Sequence, residues 1–594
     1  MDRHDPAITR LPQTDAAAAL PAETPTQKLD RLVQTAVAPL AGNLSPIALG
    51  LAFADWAWHL AASPGRQMEL AALAAQLAQD TLRLQDPASA GDAAHDDDPR
   101  FGAEDWAQWP FSQWRAGFRN AQAFWREAAR VPGVSGHHTQ LVDFFARQYL
   151  NMLTPANGLL TNPVLLKDAV QSQGRHLLQG AANWVADATG VPTAEDVASQ
   201  SRFAVGVNVA VTPGEVILRN GLIELIRYAP QTDTVHPEPV LMIPSWIMKY
   251  YILDLSPHNS MVRYLVSQGH TVYMLSWRNP DERDHDLRMD DYLHQGVFAA
   301  LAAAAADARA DRLHAMGYCL GGTLLAIAAA AMSRPEGVPG QSGLPALASL
   351  TLLAAQVDFS EPGELGLFID EAQVNLLDHI TRGQGFLSGK QMAGSFQFLH
   401  SRDLVWARQM REYLLGEREQ GNDLMAWNAD TTRLPARMHH EYLVALYLKN
   451  ALAHGRYRVG GRPVSLNDLR MPLFAVGTER DHVSPWRSVY KLHHLTDAEI
   501  TFVLTSGGHN AGIITPPGHP RRRYRIDTRP ERGAWRTADE WLHTARQGQS
   551  SWWPAWQQWL AGHSSAPVKA RLIPASRSLG TAPGTYVMQR YAEP

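Results

Sequence analysis

The stretch Arg312-Leu-His-Ala-Met-Gly-Tyr-Cys-Leu-Gly-Gly322 decides the fold. Leu313 to Gly317 reads as a short buried strand and Thr323 to Met332 as a helix, with a tight turn between them. Gly317-x-Cys319-x-Gly321 has the layout of a nucleophile elbow, G-x-S-x-G, with cysteine in place of serine. The glycines have a steric reason. The nucleophile sits on a strained strand-to-helix turn, and a Cβ two residues to either side would strike the neighbouring strand or helix. Cys319 is the single cysteine of the chain. A free cysteine at a strand end is ordinarily a small buried apolar residue, so its partners decide what it does.

A cysteine nucleophile needs a base, and the base needs a group to orient it. Two further apolar runs read as strands, Leu473 to Gly477 and Glu499 to Leu504. The first ends in Thr478-Glu-Arg-Asp-His482 and the second in Ser506-Gly-Gly-His-Asn-Ala-Gly512. Cys319, Asp481 and His509 therefore each follow a strand, in the chain order of α/β-hydrolase triads. Asp481 after the penultimate strand and His509 after the last would meet above Cys319. Glu479 competes with Asp481 as orienting group. His482 points away if Asp481 points in, which places it around the triad instead of in it. His493, His494 and His519 do not end a strand in the same way.

Outward from the elbow, Val216 to Tyr228 alternates around Asn220-Gly221, a hairpin signal. Pro239 to Pro244, Thr271 to Leu275 and Leu350 to Ala354 are further apolar runs, separated by helical stretches at Asn259 to Gln268 and Tyr292 to Arg309. Strands alternating with helices predict a mostly parallel sheet with right-handed crossovers. Residues 359–470 are too many for a loop and predict an inserted cap or lid over the sheet edge where such sites lie. The catalytic domain is expected over 201–594. Its tail from about 520 starts with a basic run, Arg521-Arg-Arg-Tyr-Arg525, and gathers Trp552, Trp553, Trp556 and Trp559, which predicts a terminal helix packed on the domain.

Residues 28–200 read as an aromatic-rich helical domain interrupted by an acidic small-residue linker, 86–99. Residues 1–27 have a disordered composition, with no basic segment followed by an apolar run, so no signal peptide is expected. The apolar stretch Pro46 to Ala62 is short and broken by Asp55 and His59, so no transmembrane segment is expected. It predicts either an amphipathic helix packed on its own domain or one lying on an apolar surface, with Trp56 and Trp58 at the boundary. One cysteine excludes internal disulfides and Cys-x-x-Cys metal sites and fits a reducing interior. A net charge of −5 gives no reason to expect nucleic acid as a partner.

In the expected chemistry His509 takes the thiol proton and Asp481 steadies the imidazolium. The oxyanion is held by the N–H of Leu320 and a second N–H from Ser245, Trp246 or Ile247, just after the Pro239–Ile243 run. Asp254, a carboxylate in an apolar run, reads as a structural or supporting group. Cysteine suits acyl transfer from a thioester, because thiolate attack exchanges one thioester for another and keeps the acyl group activated. A cysteine elbow also serves hydrolases, so a cysteine-dependent α/β-hydrolase such as a thioesterase or lactone hydrolase is the alternative.

These residues resemble the poly(3-hydroxyalkanoate) synthases, and among them the single-chain, class I-like kind that makes poly(3-hydroxybutyrate). The resemblance rests on Phe203-Ala-Val-Gly-Val-Asn208, Pro244-Ser-Trp-Ile-Met-Lys-Tyr-Tyr-Ile-Leu-Asp254, Ser276-Trp-Arg-Asn-Pro280, Gly317-Tyr-Cys-Leu-Gly-Gly322, Trp427-Asn-Ala-Asp-Thr-Thr-Arg-Leu-Pro435, Asp481-His-Val-Ser-Pro-Trp486 and Gly508-His-Asn-Ala-Gly512. It implies an α/β-hydrolase fold with a lid over a tunnel, Cys319 carrying the growing acyl chain, His509 as base, and Asp481 assisting it and activating the incoming hydroxyl. It implies 3-hydroxyacyl-CoA and the growing polyester as substrates and coenzyme A as a product. No separate cofactor or metal is expected. A homodimer in the cytoplasm is implied, held at polymer granules by the amino-terminal domain. Asn510 departs from the pattern, since many members carry an apolar residue there, as does the long tryptophan-rich tail from Arg521. Beside the synthase reading stand a cysteine-dependent polyester depolymerase and a non-catalytic granule-coat protein of the same fold.

Overall fold

Six parallel strands, each ending at one edge of the sheet, place the candidate residues. The computed structural model describes residues 24–38, 44–83, 98–189, 202–341, 343–392, 406–418, 421–572 and 574–591. The main sheet has ten strands: β1 (Gly214–Arg219), β2 (Ile223–Tyr228), β3 (Val240–Ile243), β4 (Val272–Trp277), β5 (Arg312–Tyr318), β6 (Ala346–Leu353), β7 (Leu473–Thr478), β8 (Ile500–Thr505), β9 (Arg523–Arg529) and β10 (Arg546–Gln549). Their spatial order is β1-β2-β4-β3-β5-β6-β7-β8-β9-β10. β3 to β8 run parallel, and both flanks are antiparallel. The parallel strands are apolar on both faces because helices cover both sides. One of these helices, Leu320–Met332, is buried from Gly321 to Ala331. Its alanines let it lie close to the sheet, while Leu324, Leu325 and Ile327 each contribute roughly 1.5–3 kcal/mol of burial.

The sheet does not end at Leu504, as expected from the sequence. β9 and β10 add two antiparallel strands beyond β8, with Ile500 opposite Arg529 and Arg523 opposite Gln549. Their sequences, Arg-Tyr-Arg-Ile-Asp-Thr-Arg and Arg-Gln-Gly-Gln, carry charge instead of an apolar run, the usual protection of a sheet edge. The basic run read as the start of a tail is thus largely strand.

The helical amino-terminal part contains Pro25–Val37, Pro46–Ala61, Pro64–Arg83, Phe111–Ala128, Gly136–Met152, Pro163–Gln171 and Arg175–Thr189. The first begins at Pro25, three residues earlier than expected. Thr24 and Gln27 cap it reciprocally, and Pro25 supplies a first-turn φ. Most of the acidic linker and residues 1–23 lie outside the described residues. Among the described residues no helix is long and apolar enough to cross a membrane. Pro46–Ala61 packs one side on its own domain, where Trp56 Nε1 donates to the Ala128 carbonyl at 2.8 Å and Asp55 bonds His138 at 2.6 Å. Its other side leaves Ile47, Leu51 and Trp58 exposed.

Between β6 and β7 the chain leaves the sheet for the inserted segment. Helix Glu371–Gln384, a two-residue ladder of Phe386–Leu387 with Leu434–Pro435, and the α-helix Ala436–Tyr442 continued by the π-helix Leu443–Leu448 form its framework. The amino-terminal helices grip this insertion: Ser45 N donates to Gln373 at 2.6 Å, Phe144 meets Phe368 edge-on at 5.1 Å, and Asn183 donates to the Glu412 carbonyl at 2.9 Å.

Candidate active site

The turn after β5 has the geometry its glycines demand. Cys319 sits at φ 53° and ψ −126°, a strained conformation for a residue with a side chain. Its N–H donates to the Leu353 carbonyl at 2.8 Å, and its carbonyl accepts from Gly322 and Thr323 at the start of the helix. A Cβ on Gly317 would lie 2.4 Å from Gly322 Cα, and one on Gly321 would lie 2.3 Å from the Ile243 carbonyl oxygen. Neither backbone can yield, so both positions must be glycine.

His509 follows β8, and Asp481 follows β7. His509 Nδ1 bonds Asp481 Oδ2 at 2.8 Å. The carboxylate is fully used: Thr478 Oγ1 donates to Oδ2 at 2.9 Å, and the N–H groups of Val483 and Ser484 donate to Oδ1 at 3.0 and 2.7 Å. Burial works against ionisation of Asp481, but the His509 charge and these bonds hold its proton affinity below the ordinary carboxylate value. Burial likewise works against protonation of His509. The Asp481 charge, then the charge on Cys319, and the hydrogen bond to Asp481 outweigh it and raise His509 well above the usual imidazole value. The arrangement favours a protonated ring beside the Asp481 carboxylate, the partner a thiolate nucleophile requires.

The competitors are engaged elsewhere. Glu479 pairs with Arg523 at 3.1 Å. The His493 ring is shut in, held by burial to a pKa of about 3, against Tyr490 at 4.3 Å. His494 accepts from Trp535 Nε1 at 2.8 Å, and His519 accepts from Arg521 N–H at 3.3 Å. His482 is exposed, and its carbonyl accepts from Glu364 of the insertion at 3.2 Å. Asp254 is buried apart from the triad, where Thr212 Oγ1 and Ser260 Oγ donate to it at 2.5 and 2.6 Å, and burial raises its pKa.

Of the expected oxyanion donors, the Ile247 N–H is turned to Ser245 Oγ at 3.4 Å. The N–H groups of Ser245, Trp246 and Leu320 have no acceptor among the described residues. Trp246 is fixed from the insertion, where Thr432 Oγ1 donates to its carbonyl at 2.7 Å and Tyr442 meets its ring edge-on at 5.9 Å. Among the described residues no group of three or more His, Cys, Asp or Glu is placed to hold a metal ion.

Several neighbours were not singled out from the sequence. Tyr318 lies tilted beside His509, ring centroids 5.7 Å apart, and its hydroxyl donates to Asn510 at 2.5 Å. Tyr442 of the insertion is buried and Tyr447 half-buried, and charge on Cys319 raises the pKa of both hydroxyls after burial itself. Tyr442 donates to the Tyr447 hydroxyl at 3.3 Å. The tryptophans of the tail brace the histidine loop. Trp552 Nε1 donates to the Gly512 carbonyl at 3.1 Å and Trp553 Nε1 to Ile513 at 2.8 Å, while helix Trp553–Gly562 packs on the sheet. An aromatic cluster in a tail was the sequence signal; its target was not.

Three family models match the chain. One described as poly-beta-hydroxybutyrate polymerase N terminal covers residues 24–66, one described as poly-beta-hydroxybutyrate polymerase (PhaC) N-terminus covers 97–265, and the alpha/beta hydrolase fold covers 238–516. The chain is 37% identical over 500 residues to a poly(3-hydroxyalkanoate) polymerase of Methylorubrum extorquens, spanning 83% of this chain and 81% of that one. It is 35% identical over 521 residues to the polymerase subunit PhaC of Rhizobium meliloti, spanning 84% and 82%. It is 36% identical over 506 residues to that of Cupriavidus necator, spanning 82% and 83%. An α/β-hydrolase sheet with a cysteine elbow, matched along most of its length by these relatives, belongs to the poly(3-hydroxyalkanoate) polymerase family.

Proposed function

We infer that this acyltransferase polymerises 3-hydroxyacyl-CoA, with 3-hydroxybutyryl-CoA as preferred substrate, by carrying the chain on Cys319. The observation that carries the assignment of roles is the hydrogen-bonded Asp481–His509 pair coupled to the thiol on the strained turn. The thiol proton passes to His509, and the thiolate attacks the thioester carbonyl. The oxyanion is received by Leu320 N–H and an N–H of Ser245 or Trp246. Collapse breaks the bond to the CoA sulfur, which leaves with the proton held on His509. The hydroxyl of the next 3-hydroxyacyl-CoA then gives its proton to His509 and attacks the acyl-cysteine, forming the ester and freeing the Cys319 sulfur. The elongated chain, now on coenzyme A, returns to Cys319 with release of coenzyme A. Asp481 holds the ring through both steps. The scheme needs no separate cofactor.

Association with polymer granules in the cytoplasm belongs to the same proposal. It is supported by the exposed apolar residues Leu29, Leu32 and Val33 on the first helix and Ile47, Leu51 and Trp58 on the second. A homodimer in solution is also proposed, to be read from sedimentation. The decisive assay offers C4, C6 and C8 3-hydroxyacyl-CoA to the full chain. Coenzyme A release with insoluble polyester, fastest for C4, is expected. Free hydroxy acid as the sole product would assign the protein to the hydrolases instead.

A further inference from the structure

Two cavities open beside the insertion, about 740 Å³ and about 700 Å³, and they meet at Phe359, Ser360 and Tyr447. Tyr447 connects them to the chemistry. Its hydroxyl accepts from Tyr442, whose ring meets that of Trp246 edge-on at 5.9 Å, and its own ring packs against Phe359 at 4.9 Å.

The cavities differ in charge. The larger is lined by Arg147 and Arg487, but also by Asp143, Glu361 and Glu364. Its cations are already matched, Arg147 with Asp143 at 3.0 Å and Arg487 with Asp539 at 2.5 Å. The smaller is walled by Lys449, His454 and Arg456 and has no carboxylate in its lining. Lys449 and Arg456 have no ion-pair partner among the described residues. Arg456 spends one N–H on the Lys449 carbonyl at 3.4 Å, and His454 Nδ1 faces the Asn450 carbonyl at 2.9 Å. Like charges gathered at a cavity mouth without counter-charge repel one another and focus a field that draws in anions.

We propose that Lys449 and Arg456, with His454 beside them, form a phosphate subsite for the nucleotide end of the acyl-CoA thioester. The uncharged pantetheine arm then passes Tyr447 toward Cys319. This inference rests on the acyl transfer from coenzyme A thioesters put forward above. A guanidinium and an ammonium in this setting bind phosphate oxygens through charge-assisted hydrogen bonds.

The test compares 3-hydroxybutyryl-CoA with 3-hydroxybutyryl-pantetheine, which lacks the phosphates. In the full chain, Lys449→Ala/Arg456→Ala should raise KM for the CoA thioester about tenfold and KM for the pantetheine thioester less than twofold. The difference should shrink as salt is raised. Lys449→Arg/Arg456→Lys should return KM for the CoA thioester to within about twofold of the parent. Equal effects on the two thioesters, or no effect on either, would overturn the subsite. A binding arm separates this from failure of the transfer reaction itself. Cys319→Ala should bind free coenzyme A more tightly than pantetheine, and the two alanine substitutions should abolish that preference. No preference in Cys319→Ala would overturn the subsite even in a chain that proved to be a hydrolase.

Discussion

The Tyr318 hydroxyl donates to Asn510 Oδ1 at 2.5 Å, so the residue before Cys319 is bonded to the residue after His509. This bond ties the elbow to the loop of the base, beside a Tyr318 ring already tilted against His509. Tyr318→Phe and Asn510→Leu should each lower kcat several-fold with KM little changed, because they loosen the ring without touching the substrate mouth. The double variant should be no worse than the poorer single one, with a coupling of about 1 kcal/mol. Independent, additive losses would show that the bond does not position His509.

Cys319→Ala should abolish coenzyme A release while leaving the melting temperature within a few degrees, since only one atom in a half-buried site is lost. Asp481→Asn keeps an acceptor for Val483 and Ser484 but disturbs the ring's orientation, and should cost roughly 10²–10⁴-fold in kcat. Steady-state coenzyme A release measures both.

Gly321→Ala should be destabilising by about 3 kcal/mol, because the new methyl meets the carbonyls of Ile243 and Pro244 at 2.3 and 2.4 Å. Gly117→Ala is the control. It lies inside helix Phe111–Ala128 with nothing within 4 Å and should stabilise by about 0.5–1 kcal/mol. Denaturant midpoints separate the two.

Trp553→Leu removes a buried indole and its bond to the Ile513 carbonyl. A loss of about 2–4 kcal/mol in stability is expected. Because the same contact braces the loop of His509, kcat should fall even at temperatures where the variant remains folded.

Acid should weaken the fold through histidines at the far end of the sheet. His270 is fully buried with neither ring nitrogen partnered among the described residues, stacked on His236 at 4.8 Å. His314 bonds Ser349 and Ser564. Burial holds them to pKa values of about 3 and about 4; the neighbouring His236 and His314 add to it at His270, while at His314 the Glu238 carboxylate opposes it. In the unfolded chain both titrate near ~6.5. Between those values the unfolded chain binds more protons, so stability is intact above pH ~6.5 and falls by up to about 1.4 kcal/mol per group per pH unit on acidification. His270→Phe should flatten the melting temperature between pH 6.5 and 4.

What the sequence disclosed follows from how local each signal is. The elbow and the strand-end positions of Asp481 and His509 are readable because sterics and periodicity act over a few residues. The strands Arg523–Arg529 and Arg546–Gln549 are hidden because edge strands use charge where central strands use apolar runs. The bracing by Trp552 and Trp553 and the approach of Tyr442 and Tyr447 to the thiol depend on contacts far apart in the chain, which no local pattern encodes.

The amino-terminal helices hold the inserted segment through Ser45, Phe144 and Asn183. Mechanically, they are a handle fastened to the segment that carries Tyr442. Any surface that captures the exposed Leu29, Leu32 or Trp58 would therefore pull on that segment.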